Sequence, residues 1–337
     1  MIPYLLIAVF ATSFFITGAI RRYALARQLM DIPNARSSHS VPTPRGGGVG
    51  FVVAFLLALP FLVWAGVTDA RGALAIGIPG LIVAVLGFVD DHGHVAARWR
   101  LLGHFTASVI GLWLMNGLPP VEIAGRVLDL GWVGNVLAVF YLVWMLNLFN
   151  FMDGIDGLAS AEAIFIFLGI SALHMLQMNL ATALIALFLA LSVTAFIIWN
   201  CPPAKIFMGD AGSGFLGVMV GIIVLVSARS DPDFLWGGLI LSGVFVTDAT
   251  VTLFRRLVAG FKVYEAHRTH AYQHAARKLS SHGKVTRGVT AINILWLLPI
   301  SIWVTAGGGD GFLGTVIAYL PLIALSLLYR AGSSERR

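Results

Sequence analysis

The sequence predicts an all-α protein that crosses a membrane about eleven times, its amino end periplasmic and its carboxyl end cytoplasmic. Three observations carry this. Of 337 residues, 58% are hydrophobic and 11% charged, and the mean hydropathy is +0.88, a balance foreign to soluble domains. The apolar residues come in blocks of roughly twenty, the length of a helix that spans the hydrocarbon core. The basic residues, finally, gather on one side of the topology that those blocks dictate.

The blocks run near 2–20, 47–66, 72–89, 101–117, 133–151, 159–176, 180–199, 212–228, 235–255, 288–305 and 312–329. The first has no basic residue before it and Arg21 and Arg22 just after it, the reverse of a cleavable leader, so it reads as a permanent helix with its amino end outside. Alternation from there places 19 of the 22 Lys and Arg in cytoplasmic segments, Arg36, Arg336 and Arg337 among them, and leaves only Arg71, Arg126 and Arg229 outside. This agrees with the positive-inside rule. It also argues against nucleic acid as a partner, because the charge follows topology and no compact basic domain carries it. Cys201 is the only cysteine, which excludes an internal disulfide. A single domain over 1–337 is expected, with cytoplasmic loops 21–46, 90–100, 152–158, 200–211 and 256–287 forming one site and a short periplasmic hairpin near 120–131.

The fifth block runs into Asn147-Leu-Phe-Asn-Phe-Met-Asp-Gly-Ile-Asp156. If the helix persists, Asn147, Asn150 and Asp153 share one side, and Gly154 and Gly157 let Asp156 turn back. Such a cluster at a membrane-helix mouth suits a cation or a phosphate; plain helix capping is the bland alternative. Asp90, Asp91 and Asp210 fall on the same side of the membrane and can converge with it. Adjacent carboxylates at Asp90-Asp91, followed by His94, Arg98 and Arg100, repel each other unless a cation compensates. Magnesium is the natural ion, with manganese as a substitute, since the donors are hard oxygens and no Cys-His set speaks for zinc.

Two glycine-rich turns accompany the carboxylates. Pro42-Thr-Pro-Arg45-Gly-Gly47-Gly-Val-Gly50 leads into the second block, and free glycine N–H groups beside Arg45 would face an anion. A glycine-rich start is also ordinary packing in membranes. Phe207-Met-Gly-Asp210-Ala-Gly opens the eighth block, where Asp210 is either a helix cap or a ligand.

In order and loop placement, the Pro-Arg-Gly-Gly-Gly run, Asp90-Asp91, Asn147-x-x-Asn150-x-x-Asp153-Gly-x-Asp156-Gly and Phe207-Met-Gly-Asp210 resemble the polyprenyl-phosphate N-acetylhexosamine-1-phosphate transferase superfamily. The resemblance extends from the first loop to the His-rich loop near 270. It implies that undecaprenyl phosphate attacks a UDP-N-acetyl amino sugar with Mg²⁺, giving undecaprenyl-diphospho-sugar and UMP at the cytoplasmic face of a bacterial inner membrane. A homodimer is admitted. By resemblance Asp210 ligates the metal with Asn150, and Asp90, Asp91, Asp153 and Asp156 form the catalytic set, the first two holding or deprotonating the lipid phosphate. Arg45, Gly47, Arg100 and Asn147 would contact substrate.

The loop 256–287 carries His267-Arg268-Thr-His270-Ala-Tyr272-Gln273-His274. Helical spacing of three and four also suits a solvated amphipathic helix. By resemblance, Arg268, His270, Tyr272 and Gln273 grip the nucleotide sugar in the form found in enzymes that initiate O-antigen and other surface polysaccharides. The run of consecutive His typical of phospho-N-acetylmuramoyl-pentapeptide transferases is absent, which favours a plain UDP-N-acetylhexosamine such as UDP-GlcNAc, or a deoxy relative. Asp248 sits inside the ninth block with no visible partner; at that depth an ionisable group is functional by default. A transporter or flippase would instead set its carboxylates near the midplane on repeated, broken helices. An alcohol phosphatidyltransferase fits neither the spacing nor the span count.

The topology has a direct check. With Cys201 replaced, Ser281→Cys should resist an impermeant thiol reagent applied to whole cells. Ready labelling from outside would overturn the orientation.

Overall fold

The computed structural model describes residues 1–33, 41–93, 95–123, 125–262 and 267–333. Arg36, His94, Arg336 and Arg337 of the charge and motif readings lie outside them. Each apolar block is helical. In order these are α1 Ile2–Ala26, α2 Val49–Trp64, α3 Ala70–His92, α4 Ala97–Leu114, α5 Gly131–Met152, α6 Leu158–Leu176, α7 Leu180–Asn200 and α8 Asp210–Ala228. The ninth block is two helices, α9 Asp233–Leu241 and α10 Gly243–Val258, bent by 71° at their junction. A short helix, α11 Ala271–Leu279, precedes α12 His282–Ile292, which passes through a π-turn, Asn293–Leu297, into α13 Leu298–Ala306; α14 Gly311–Leu328 is last. The described strands form two short antiparallel pairs, Met30–Asp31 with Thr43–Pro44 and Val121–Ile123 with Arg126–Leu128.

The protein is therefore an all-α, multi-pass membrane protein. Among the described residues, eight helices are long and apolar enough to cross a bilayer, or nine if the bent pair counts as one span. That is fewer than the eleven expected. Two of the expected spans fall short for physical reasons: α2 has only 16 residues, about 24 Å of rise, and α4 carries Arg98, Arg100 and His104 in its first two turns.

The axis of the bundle is α8, whose apolar window is 94% buried. Gly217 and Gly221, one turn apart, let α5 approach closely: a Cβ at Gly217 would lie 2.4 Å from the Met145 carbonyl oxygen, and one at Gly221 2.7 Å from Leu142. Small residues four apart are the usual means of close contact between membrane helices, where apolar burial alone gives no drive. On its other flank α8 meets α3 at Gly87, where an added Cβ would stand 2.4 Å from the Ala211 nitrogen. Phe51 packs edge-on against Phe196 at 5.4 Å and tilted against Phe215 at 6.2 Å, tying α2, α7 and α8 together beneath the site.

The bend between α9 and α10 leaves N–H groups without helical partners in an apolar interior, which is costly. Glu162 of α6, 1% exposed, stands beside the Phe245 backbone near the start of α10. Asn293, the first residue of the π-turn, donates its amide to the Glu162 carboxyl at 2.6 Å. Thus α6, α10 and the α12–α13 helix are locked together at the bend, and the bend aims the far end of α10 at the loop before α11.

Candidate active site

α5 ends at Met152, and Asp153 is its C-cap. Beyond it Gly157 takes φ +74° at the start of α6, so the chain reverses, as the two Asp-Gly steps led one to expect. The turn is pinned by a residue that the sequence reading passed over. Asn200, buried at the end of α7, accepts from the Gly157 N–H and the Ser160 hydroxyl, both at 3.1 Å, and donates to the Ile206 carbonyl at 3.1 Å. Asp156 accepts from the Ala204 N–H at 3.1 Å and lies 3.3 Å from His282 Nδ1, so it couples loop 200–208 to α12.

Asp90 and Asp91 end α3 and face different tasks. Asp91, 4% exposed, accepts from the Asp210 N–H at 3.1 Å and the Ala211 N–H at 3.3 Å. It thereby caps the α8 N-terminus from a different helix. Each of its oxygens accepts one backbone N–H, so it also positions Asp210. Asp90 accepts from Val95 N–H at 2.8 Å and is paired with Arg100, whose guanidinium also stands 3.4 Å from Asp210. The Asp90 and Asp210 carboxyls lie within hydrogen-bond reach of each other, so Arg100 supplies the counter-charge that the pair demands. Asp153 faces the charges of Asp210, Asp91 and Asp156, and its enclosed position together with that repulsion holds its pKa well above the carboxylate range.

The glycine run needs correction. Gly47 and Gly48 donate their N–H groups to the Phe207 and Met208 carbonyls, each at 2.9 Å, and Phe207 N–H returns a bond to Pro44 at 2.8 Å. Gly47 thus offers no N–H to an anion. What its neighbour Gly48 provides is proximity: a Cβ there would lie 2.5 Å from the Gly212 backbone. Arg45 donates to the Asp91 carbonyl at 2.5 Å, bracing the end of α3.

The His-rich loop is anchored by Asp248. Its carboxylate accepts from the Ala271 and Tyr272 N–H groups, both at 2.9 Å, from Thr252 at 3.0 Å, and lies 3.3 Å from His270 Nδ1. This is the partner that the sequence left out of sight. Three residues expected to grip substrate turn inward. His270 is 2% exposed, Gln273 Oε1 accepts from the His270 N–H at 3.2 Å, and the buried Tyr272 hydroxyl donates to Phe151 at 2.9 Å. They fix the loop to the end of α5; of the four, Arg268 is the one that lines the cavity beside Asp156.

That cavity, of about 840 Å³, is bordered by Asp156, Pro202, Phe207, Arg268, Arg277 and Arg287. A second, of about 230 Å³, is lined both by polar residues, Arg100, Asn147, Asn150 and Asp210, and by apolar ones such as Leu86 and Leu146. Asn147 donates to Val143 at 2.7 Å within its own helix. Asn150 and Asp153 have no hydrogen-bond or ion-pair partner among the described residues, which leaves them, with Asp210, as the available oxygen donors.

No three His, Cys, Asp or Glu among the described residues form a ready metal cage. The oxygens of Asp153, Asp210 and Asn150 are hard donors, of the kind that magnesium takes alongside water and substrate phosphates.

The profile of glycosyl transferase family 4 matches residues 73–228, from α3 through α8. A probable undecaprenyl-phosphate N-acetylglucosaminyl 1-phosphate transferase of Bacillus subtilis (strain 168) is 29% identical over 257 residues, 73% of this chain and 69% of the relative. A phospho-N-acetylmuramoyl-pentapeptide-transferase of Gloeothece citriformis is 32% identical over 222 residues, 61% of this chain and 58% of its own length. A decaprenyl-phosphate N-acetylglucosaminephosphotransferase of Mycobacterium tuberculosis (strain H37Rv) is 27% identical over 317 residues, covering 85% and 77%.

Asp153 makes the site pH-sensitive without substrate. An unfolded chain releases this proton near 3.8, whereas the fold retains it well above that. The stabilisation is therefore complete below the unfolded value and is lost as pH rises through the folded one. In chelator and detergent, the Tm should fall by on the order of a few degrees between about pH 5 and about pH 8, and Asp153→Asn should flatten the slope. An unchanged slope in the variant would remove Asp153 as its source.

Proposed function

Because the chain belongs to the polyprenyl-phosphate N-acetylhexosamine-1-phosphate transferase superfamily, we propose that it moves an N-acetylhexosamine-1-phosphate, GlcNAc-1-phosphate or a deoxy relative, from a UDP-sugar to undecaprenyl phosphate. The observation that carries this is the pairing of two unlike spaces around one carboxylate cluster. The larger cavity, rimmed by Arg268, Arg277 and Arg287, suits a sugar nucleotide, whose diphosphate seeks guanidinium. The smaller one, lined by apolar residues together with Arg100 and Asp210, suits the phosphate end of a membrane lipid. Asp153 feels the charge of both Asp156, at the first, and Asp210, at the second.

In the transfer, an oxygen of the lipid phosphate attacks the sugar-bearing phosphorus directly. The bond from that phosphorus to the bridging oxygen breaks, and UMP departs with the oxygen. Such displacement depends chiefly on alignment and on neutralising charge. Arg100 holds the lipid phosphate near Asp210, while Arg268 orients the donor diphosphate from the opposite side. Asp210, Asn150 and Asp153 would hold Mg²⁺, which when bound offsets the charge of the diphosphate and of the leaving phosphate. The lipid phosphate is already ionised, so no general base is required, in keeping with the engaged state of Asp91.

The Arg268-Thr-His270-Ala-Tyr272-Gln273 form, rather than a run of histidines, supports a plain amino-sugar donor, and with it the initiating step of O-antigen or other surface polysaccharide. The one-sided distribution of Lys and Arg supports an inner-membrane enzyme with this site on the cytoplasmic face.

Purified protein given undecaprenyl phosphate and a panel of UDP-sugars should release UMP from a UDP-N-acetylhexosamine, only with Mg²⁺ or Mn²⁺. Asp210→Asn should fold and lose nearly all turnover; full activity of that variant in chelator would sink the metal assignment. Arg268→Ala should raise the donor KM by about one to two powers of ten, the scale of a charge-assisted phosphate contact of roughly 1.5–3 kcal/mol, and spare kcat. A shift confined to the lipid KM would exclude the larger cavity as the donor site.

A further inference from the structure

Beyond α14 the chain turns back onto α10 and the loop before α11. Ala331 is fully buried, and the Arg255 guanidinium donates one N–H to its carbonyl at 2.6 Å and another to the Ser333 hydroxyl at 3.2 Å. Between those two, Gly332 donates its N–H to the Thr269 carbonyl at 2.7 Å. Thr269 directly follows Arg268 and is itself buried, its hydroxyl 3.1 Å from His267 Nδ1. The fit leaves no slack: Gly332 has φ +76°, and a Cβ on it would come within 2.8 Å of the Thr252 carbonyl oxygen and 2.9 Å of Arg255.

Asp248, Thr252 and Arg255 recur at four and three residues along α10, hence on one face of that helix. Asp248 grips the loop on the carboxyl side of Arg268, through Ala271 and Tyr272. Arg255 grips it through residues 331–333 at Thr269. Arg268 thus stands immediately before a doubly held stretch, with its own carbonyl accepting from Arg277 at 3.2 Å. A long cationic side chain loses much rotamer freedom when it binds, so fixing its backbone beforehand lowers the cost of contact.

We propose that residues 331–333 form a strap, clasped by Arg255, that sets the placement of Arg268 in the larger cavity, which makes Arg255 a positioning residue for the donor. This rests on the reading of that cavity as the sugar-nucleotide site. Arg255 does not line the cavity and acts only through the loop.

The test uses the full chain in detergent with both substrates. Arg255→Ala, and independently Gly332→Val, should raise the donor KM about three- to tenfold, with kcat and the lipid KM within about twofold. Arg255→Lys, which can keep one of the two bonds, should fall between. If Arg255 works through Arg268, then Arg255→Ala with Arg268→Ala should be no worse than Arg268→Ala alone. Fully additive effects, or equal losses in kcat and both KM values, would overturn the proposal. Hydrogen exchange separates the strap from the assignment of the cavity: Arg255→Ala should speed exchange at 268–272 in the absence of any substrate. Unchanged exchange there defeats the strap, whereas faster exchange with no change of donor KM in Arg268→Ala would leave the strap standing and defeat the donor reading instead.

Discussion

The bond on which the site depends is the one that Asp91 makes across helices, accepting the first two N–H groups of α8. An α-helix inside a membrane protein must find acceptors for its leading N–H groups, because no water is at hand. Using a carboxylate for this places a negative charge at the positive end of the α8 dipole, a favourable arrangement. The same bond sets Asp210, the first residue of α8, beside Asp90 and within reach of Arg100. Gly87 permits it, since any side chain there would strike the backbone of residues 210–211. Remove the cap, and the acid pair loses its register along with the contact between α3 and α8.

A similar solution recurs at α10 and α11, with a different outcome. Asp248 serves the amino end of α11, and Glu162, held by Asn293, stands at the amino end of α10, each from a neighbouring element. At α10 the acceptor stabilises a bend within the apolar core. At α11 it reaches the loop that carries Arg268. Asp91 and Asp248 are thus spent largely on backbone; Asp210, which lines the smaller cavity, is left with Arg100 and Asp90, and Asp153 is left with no such partner among the described residues. A carboxyl without a partner in an enclosed place is unstable as an anion, and it stays that way only where something else, a cation or a proton, completes it.

Much of this was legible in the sequence, and what was not has a common cause. Periodic apolar blocks located the helices, and the clustering of Asp90, Asp91, Asp153, Asp156 and Asp210 could be read from the sides on which the loops fall. Sequence alone could not say which acid pairs with Arg100 and which caps α8, because Asp90 and Asp91 are chemically identical neighbours. Gly47 and Gly48 misled for the same reason. A glycine run fits both an anion cradle and a close approach, and only the Phe207 and Met208 carbonyls decide. His270, Tyr272 and Gln273 carry polar groups typical of binding, yet a distant Asp248 claims the helix they start. Asn200 gave no signal, being one amide at the end of an apolar run.

These assignments divide the molecule into a rigid part and an adjustable part. The acid cluster is carried on α3, α5 and α8, helices packed so closely through glycines that displacing one would strain the others. The cationic side of the larger cavity is carried on the loop before α11, on α11 and on α12, held by individual hydrogen bonds from Asp248, Tyr272, Arg255 and Gly332. Bonds of that kind contribute about 1 kcal/mol each, enough to fix a loop yet weak enough to open without disturbing the bundle. Alignment of the reacting phosphates needs the first kind of support, and admission and release of a large polar ligand need the second. The chain supplies both by letting one helix, α10, which is bent away from its predecessor, reach from the packed core to the loop.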